Sequence, residues 1–210
     1  MNKLRAIIVA NRNFLLCYGF FFLVGLILLL TKGKTASFLL LNPFHQTLLD
    51  YFFIAFTYLG DGIFTVAVII LLMVLRRWPQ AWLLLIAFVL SALVAQILKN
   101  VFSMPRPQEV FNHGEYLFFI DGITHRGFSS FPSGHSTSVF TLATMLAIFE
   151  TNKRLNVFFL LGAVAVGYSR IYLGQHFLTD VMMGSFLGIT IAILVYSLLA
   201  GKFRSRPAAA

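Results

Sequence analysis

Apolar residues run along this chain in long blocks, and polar residues fall almost entirely between them. A helix needs roughly 17 to 25 mainly apolar residues to cross a bilayer. On that basis six helices are predicted, at 14–30, 62–75, 82–102, 134–149, 155–172 and 178–199, the second and fourth being short. Between the first two, Phe44, Leu48, Phe52 and Phe56 recur at helical spacing among His45, Gln46, Asp50 and Thr57. This predicts a further helix over 42–59, lying in the membrane interface or against the bundle. Asn42 and Pro43 read as its cap and first-turn residue. Gly60-Asp61-Gly62 reads as a break, with Asp61 capping the next helix. The longest connection, 103–131, is rich in aromatics that would suit the headgroup region. A lid or a substrate entrance is expected there, and its His113 and His125 either take part or sit in a solvated connector. The Pro-Ala tail at 207–210 is expected to fray.

Composition fixes the class. Of 210 residues, 59% are hydrophobic and 11% charged, and the mean hydropathy is +0.87. A soluble domain must have a polar surface, so this is an integral membrane protein. The predicted architecture is all-α, a six-transmembrane-helix bundle with an interfacial helical segment between helices 1 and 2, forming one domain over 1–210. The lone Cys17 excludes a disulfide within the chain. Lys3, Arg5 and Arg12 ahead of an apolar run resemble a signal peptide, but the run is too long and lacks a small-residue cleavage site, so a retained helix is expected.

The net charge of +9 sets orientation and does not indicate a nucleic-acid partner, because the cations are scattered between apolar runs and form no stripe with aromatic platforms. With the N-terminus inside, only Lys32, Lys34, Lys99, Arg106, Arg126 and Arg170 fall outside, leaving ten of the sixteen Lys and Arg on the inner side. The positive-inside bias therefore places both termini in the cytoplasm. It also places three polar clusters together at the external, or periplasmic, face.

The first cluster holds Lys99 and Arg106, about two helical turns apart. Pro105 is expected to end the helix and let Arg106 fold back toward Lys99. Taken alone, a pair of snorkelling interfacial cations would look the same. The second is Pro132-Ser133-Gly134-His135, directly before an apolar block. Ser133 is a good helix cap and a hydroxyl donor, Gly134 lets a ligand approach the backbone, and free amides at a helix start attract an anion. His135 would lie within reach of that anion.

In the third cluster, Arg170 closes one helix, while His176 and Asp180 open the next. Ionisable groups beside apolar spans mark a function. A helix including both His176 and Asp180 would place them on one face, so that the carboxylate holds the ring. A neutral imidazole so oriented can attack phosphorus, and the planar fork of Arg170 suits phosphate oxygens. His135, His176 and Asp180 also have the ligand types of a hydrolytic zinc site. Lys99, Arg106 and Arg170 would repel a dication, however, and are what a phosphate with about two negative charges requires.

Lys99 with Arg106-Pro107, then Pro132-Ser133-Gly134-His135, then Ser169-Arg170 followed by His176 and Asp180, together resemble the tripartite signature of the type 2 phosphatidic acid phosphatase superfamily. The signature covers 99–180 in order and with intact spacing. The resemblance implies that His176 forms a phosphohistidine and that Asp180 orients it. It implies that His135 protonates the leaving lipid oxygen and later activates water. Lys99, Arg106, Ser133, Gly134 and Arg170 would hold the phosphoryl oxygens, and neither a metal nor another cofactor would be needed. The implied partners are membrane lipids and a lipid phosphate or pyrophosphate of the undecaprenyl, phosphatidylglycerol phosphate, phosphatidic acid or lipid A type; oligomeric state is not specified. A phosphotransferase using the same phosphohistidine, or a lipid-phosphate binder or transporter without turnover, are the competing expectations.

Overall fold

Each apolar block is helical, and among the described residues there is no strand. The computed structural model describes residues 3–111, 115–116 and 118–203. His113, the tail 207–210, and Arg204 and Arg206 from the inward cation count lie outside the described residues. In chain order the helices are α1 (Lys3–Ala10), α2 (Arg12–Leu41), α3 (Thr47–Thr57), a single 3-10 turn (Tyr58–Gly60), α4 (Gly62–Val74), α5 (Trp78–Phe102), α6 (Pro107–Val110), α7 (Gly134–Phe149), α8 (Leu155–Tyr172) and α9 (Leu178–Leu199).

By length and apolarity, α2, the α5–α6 segment, α8 and α9 can cross a membrane. The segment from α3 through α4, bent by 53° at Asp61, would be a fifth span. The sixth predicted segment is α7, apolar but shorter than the other spans. Against the expected six, four helices are long and apolar enough to cross among the described residues, or five with the bent pair.

Local chemistry explains the boundaries. The Asp61 side chain accepts from Ile63 N at 3.0 Å and starts α4, as expected of a cap. Ser133 caps α7 by accepting from Ser136 N at 3.4 Å. Asp180 Oδ2 accepts from Phe177 N at 2.9 Å and ties down the first turn of α9.

Two expectations are corrected. The first span does not stop at residue 30; α2 continues to Leu41 through a kink at Gly33 (φ 77°, ψ 178°). There Ser37 Oγ donates to Gly33 O at 2.5 Å and lies 3.2 Å from Leu28 O, satisfying carbonyls on both sides of the break. Asn42 does not start the next helix but ends α2, because its buried amide donates to Ile171 O and Tyr172 O at 3.0 and 3.1 Å. The helix begins instead at Thr47. The predicted end of the third block at 102 agrees with α5, which stops at Phe102 ahead of Pro105, where Ser103 turns the chain with a left-handed φ of 41°; its start is earlier than predicted, at Trp78.

Helices α5, α7, α8 and α9 make the inner bundle, with α2 against α8 and α9 and α4 against α5. One core joins Leu84, Met145 and Ala192, and a second joins Phe14, Leu160 and Val166. Close approach of α7 to α9 depends on Gly184, where a Cβ would meet Ser133 O at 2.6 Å. That approach lets Ser133 N donate to Asp180 O at 3.0 Å, joining the starts of two helices.

The long connection folds back over this end of the bundle. The Phe38 ring lies 5.1–5.5 Å from those of Tyr116, Phe111 and Phe177, edge-on to Tyr116 and Phe177 and tilted against Phe111, and all four residues are buried. Most aromatics of the connection are therefore packed, not spread through the headgroup region; Phe128, 63% exposed, is the exception.

Candidate active site

At the end of the bundle where α5 and α8 finish and α7 and α9 begin, a cavity of about 310 Å3 opens. Lys99, Arg106, Gly134, His135, Arg170 and His176 all line it. Two members of the predicted set, Ser133 and Asp180, are fully buried and sit behind this wall. All three sequence clusters therefore meet at one place. Among the residues lining the cavity there is no carboxylate.

Each cation is held from the side. Lys99 Nζ donates to Ser129 O at 2.9 Å. One Arg106 terminal nitrogen donates to Gln175 Oε1 at 2.5 Å, and the Arg106 backbone N donates to Gly127 O at 2.9 Å. Arg170, 7% exposed, donates from one terminal nitrogen to Thr57 Oγ1 at 2.7 Å. The Nε atoms of Arg106 and Arg170 are buried with no partner in the protein. A buried guanidinium N–H without an acceptor is costly, so a ligand bearing anionic oxygens fits these donors.

His176 stands just outside α9, not inside it as a shared-face argument would require. It is placed instead by the turn after α8, where the backbone N atoms of Gln175 and His176 both donate to Arg170 O, at 3.0 and 3.1 Å. His176 Nδ1 lies 3.5 Å from Asp180 Oδ2. Burial lowers the His176 pKa to about 4, with Asp180 opposing that shift and Arg170 and Arg106 adding to it. The ring is therefore neutral near pH 7 and carries a free nitrogen lone pair. With Nδ1 turned to the carboxylate, Nε2 is the nitrogen left for the cavity.

His135 lines the same cavity from the first turn of α7. Its backbone is packed against Gly60, where a Cβ would meet His135 O and Cβ at 3.2 Å and Val166 Cγ1 at 2.6 Å. Only a residue without a side chain lets the turn before α4 come this close. At Gly134 nothing lies within 4 Å, so the backbone there is open to a ligand.

Several contributors escaped sequence reasoning. Ser130 Oγ donates to Asp180 Oδ2 at 2.6 Å and lies 3.4 Å from His176 Nδ1. Gln175 links Arg106 to the carbonyl of Ile123 in the long connection, and Thr57 steadies Arg170. Gln175 and Thr57 line the cavity, as does His125 from the connection. His125 reads in the sequence either as a participant or as part of a solvated connector; of Ser130, Thr57 and Gln175, only Gln175 carried a visible signal, its place beside His176, while Ser130 and Thr57 pair across 46 or more positions. As for the competing metal site, no group of three or more His, Cys, Asp or Glu among the described residues is arranged to hold an ion.

The chain is similar to known proteins. The family model described as PAP2 superfamily matches residues 80–204. The chain is 30% identical over 168 residues to the lipid A 4'-phosphatase of Bacteroides thetaiotaomicron, covering 76% of this chain and 73% of that protein. It is 29% identical to phosphatidylglycerophosphatase B of Bacillus subtilis, covering 66% of this chain and 70% of the relative. The crystal structure of Aquifex aeolicus LpxE superposes with a TM-score of 0.68 at 34% identity, covering 77% of this chain and 93% of that one.

Proposed function

The chain belongs to the PAP2 superfamily, and on that premise we propose that it removes phosphate from a membrane lipid phosphate or pyrophosphate through a phosphohistidine at His176. The observation that carries this is the convergence of Lys99, Arg106 and Arg170 with His135 and His176 on one cavity that has no carboxylate in its lining. Three fixed cations suit a phosphoryl group and would repel a dication, which supports a metal-independent reaction.

In the proposed cycle the phosphoryl oxygens lie between Lys99, Arg106 and Arg170, with the Gly134 amide at the start of α7 adding a donor and Ser133 holding that first turn from behind the wall. His176 Nε2 attacks phosphorus, and the P–O bond to the lipid breaks as the N–P bond forms. His135, protonated once the anionic substrate offsets the surrounding cations, gives one proton to the departing lipid oxygen and is left as the neutral ring. A water molecule then attacks the phosphohistidine and yields its proton to His135, releasing inorganic phosphate and restoring both rings. Asp180 keeps Nδ1 of His176 as the proton-bearing nitrogen and stabilises the charge that develops on the ring.

We further infer six spans, with α7 as the short sixth. Both termini are then cytoplasmic and the cavity lies at the periplasmic face of the inner membrane, as the cation distribution favours. A site at the bundle end suits a substrate whose tail remains in lipid while its headgroup reaches the loops. Relatives act on lipid A and on phosphatidylglycerol phosphate by name, so lipid A-type phosphates lead the candidate substrates. The test is release of inorganic phosphate by purified protein from a panel of lipid phosphates, with and without EDTA. Turnover of at least one lipid, undiminished by the chelator, is expected. No release from any of them, or activity lost to EDTA and restored by zinc, would overturn the proposal.

A further inference from the structure

A second and larger cavity, of about 510 Å3, lies at the other end of the bundle. The 22 residues of α9 separate the two ends, which is about 33 Å at helical rise. Its walls come from α1, from the turn joining α7 to α8, and from the last turn of α9. Among the described residues, two lysines, Lys3 and Lys153, line it, and no acidic residue does.

The floor of this cavity is a constructed polar cluster. Lys153 Nζ donates to Ala147 O at 2.8 Å and to Asn11 Oδ1 at 3.2 Å. Asn156 Nδ2 donates to the same Asn11 oxygen at 2.9 Å, and Asn11 Nδ2 donates to Ile7 O at 2.9 Å. Lys153 is thus anchored through two neutral oxygens and has a third N–H to offer. Its nearest carboxylate by sequence, Glu150, is occupied in capping its own turn, accepting from Asn152 N at 2.7 Å and from Thr151 Oγ1 at 3.3 Å. Burial depresses the Lys153 pKa, with Glu150 only partly offsetting it. Partly buried positive charge without a contacting carboxylate calls for an anion from outside the chain.

The rest of the lining identifies the kind of anion. Ala6, Ala10, Ile148 and Tyr196 give the cavity apolar walls, and its volume far exceeds what a bare phosphate fills. Helix α1 turns Leu4, Ile8 and Val9 outward, 37–53% exposed, as an amphipathic helix at a lipid surface does. We propose that this cavity seats one anionic phospholipid, with its phosphate between Lys3 and Lys153 and its glycerol and upper acyl chain along α1 and Tyr196. The lipid would brace α1 against the end of α9, remote from the catalytic cavity.

The test is native mass spectrometry of the full chain in detergent, offered equal amounts of phosphatidylglycerol and phosphatidylcholine. Each interfacial lysine favours an anionic headgroup by about fivefold. A clear excess of retained phosphatidylglycerol is therefore expected, falling by about that factor in Lys3→Gln and again in the Lys3→Gln, Lys153→Gln pair. Lys3→Gln removes no hydrogen bond that holds the fold, so its result stands even if the double variant is unstable. Arg170→Ala, which disables the catalytic cavity, should leave the preference intact, and inorganic phosphate at millimolar concentration should not displace the lipid. Equal retention of both lipids, a preference unmoved by Lys3→Gln, or one abolished by Arg170→Ala or by free phosphate would overturn the proposal. None of these outcomes bears on the phosphatase reading, which the release assay tests separately.

Discussion

The Nδ1 atom of His176 lies 3.5 Å from Oδ2 of Asp180, the same oxygen that accepts from Ser130 Oγ at 2.6 Å and from Phe177 N at 2.9 Å. The carboxylate is fixed by two donors before the ring is considered, so it can hold the imidazole without moving itself. This makes Asp180 an orienting anion and leaves His176 as the group that reacts. Removing the charge while keeping the shape separates these roles. Asp180→Asn is expected to lower kcat by about 10²–10⁴-fold, the scale seen when an orienting carboxylate loses its charge. KM should change little, since Asp180 does not line the cavity. A loss below about tenfold would remove Asp180 from this role.

Ser130 acts through Asp180, and its variant should show a smaller loss of the same kind. Ser130→Ala deletes the 2.6 Å bond but leaves the Phe177 donor in place. We expect kcat to fall about tenfold, on the scale of an outer-layer hydrogen bond, with KM and thermal midpoint near those of the parent. An equal loss in kcat/KM from a raised KM alone would assign Ser130 to substrate binding instead.

The buried position of His176 sets its pH behaviour. Its pKa is lowered to about 4, burial being the first cause. The neutral, nucleophilic form therefore persists from neutral pH down through the ordinary histidine range near 6.5, and is lost only as pH falls through about 4. Nitrogen NMR of histidine-labelled protein, with His176→Ala used for assignment, should show this ring neutral at pH 5.5, with one nitrogen protonated and one not. A titration midpoint near 6.5 would contradict the prediction.

Two glycines should respond in opposite ways to the same change. Gly60→Ala puts a methyl group 2.6 Å from Val166 Cγ1 and 3.2 Å from the His135 backbone, so an overpacking loss of about 1–3 kcal/mol is expected in chemical denaturation, together with reduced activity. Gly134→Ala meets nothing within 4 Å and should leave stability unchanged while raising KM, because the added methyl occupies space beside the exposed amide. Equal stability loss in both variants would show that the cavity wall at Gly134 is not open.

Helices α7, α8 and α9 were legible to the residue, because Ser133, the Asn152–Arg154 turn and Asp180 mark their ends and each apolar block is unbroken. The end of α2 was not, since the apolar run stops ahead of Lys32 and Lys34, whereas the helix resumes beyond the kink at Gly33, whose carbonyl accepts from Ser37 Oγ. Lys99, Arg106, His135, Arg170 and His176 were legible because ionisable groups beside apolar spans stand out. Ser130 and Thr57 were not. A serine or threonine in a loop is ordinary in sequence, and its importance arises only when folding brings it to Asp180 or to Arg170, 50 and 113 positions away. The neutral environment of His176 was equally invisible, since burial is a property of the packed bundle.

The claim on which the mechanism rests is covalent transfer to one ring nitrogen. Purified protein should be mixed with a turned-over lipid carrying phosphorus-32 in its terminal phosphate, quenched within milliseconds into alkali, digested, and mapped by mass spectrometry. The mechanism predicts an acid-labile, alkali-stable phosphoryl label on His176, absent from His176→Ala and accumulating in His135→Ala if release of phosphate becomes the slow step. Label on another residue, or full turnover with no label at any quench time, would contradict it.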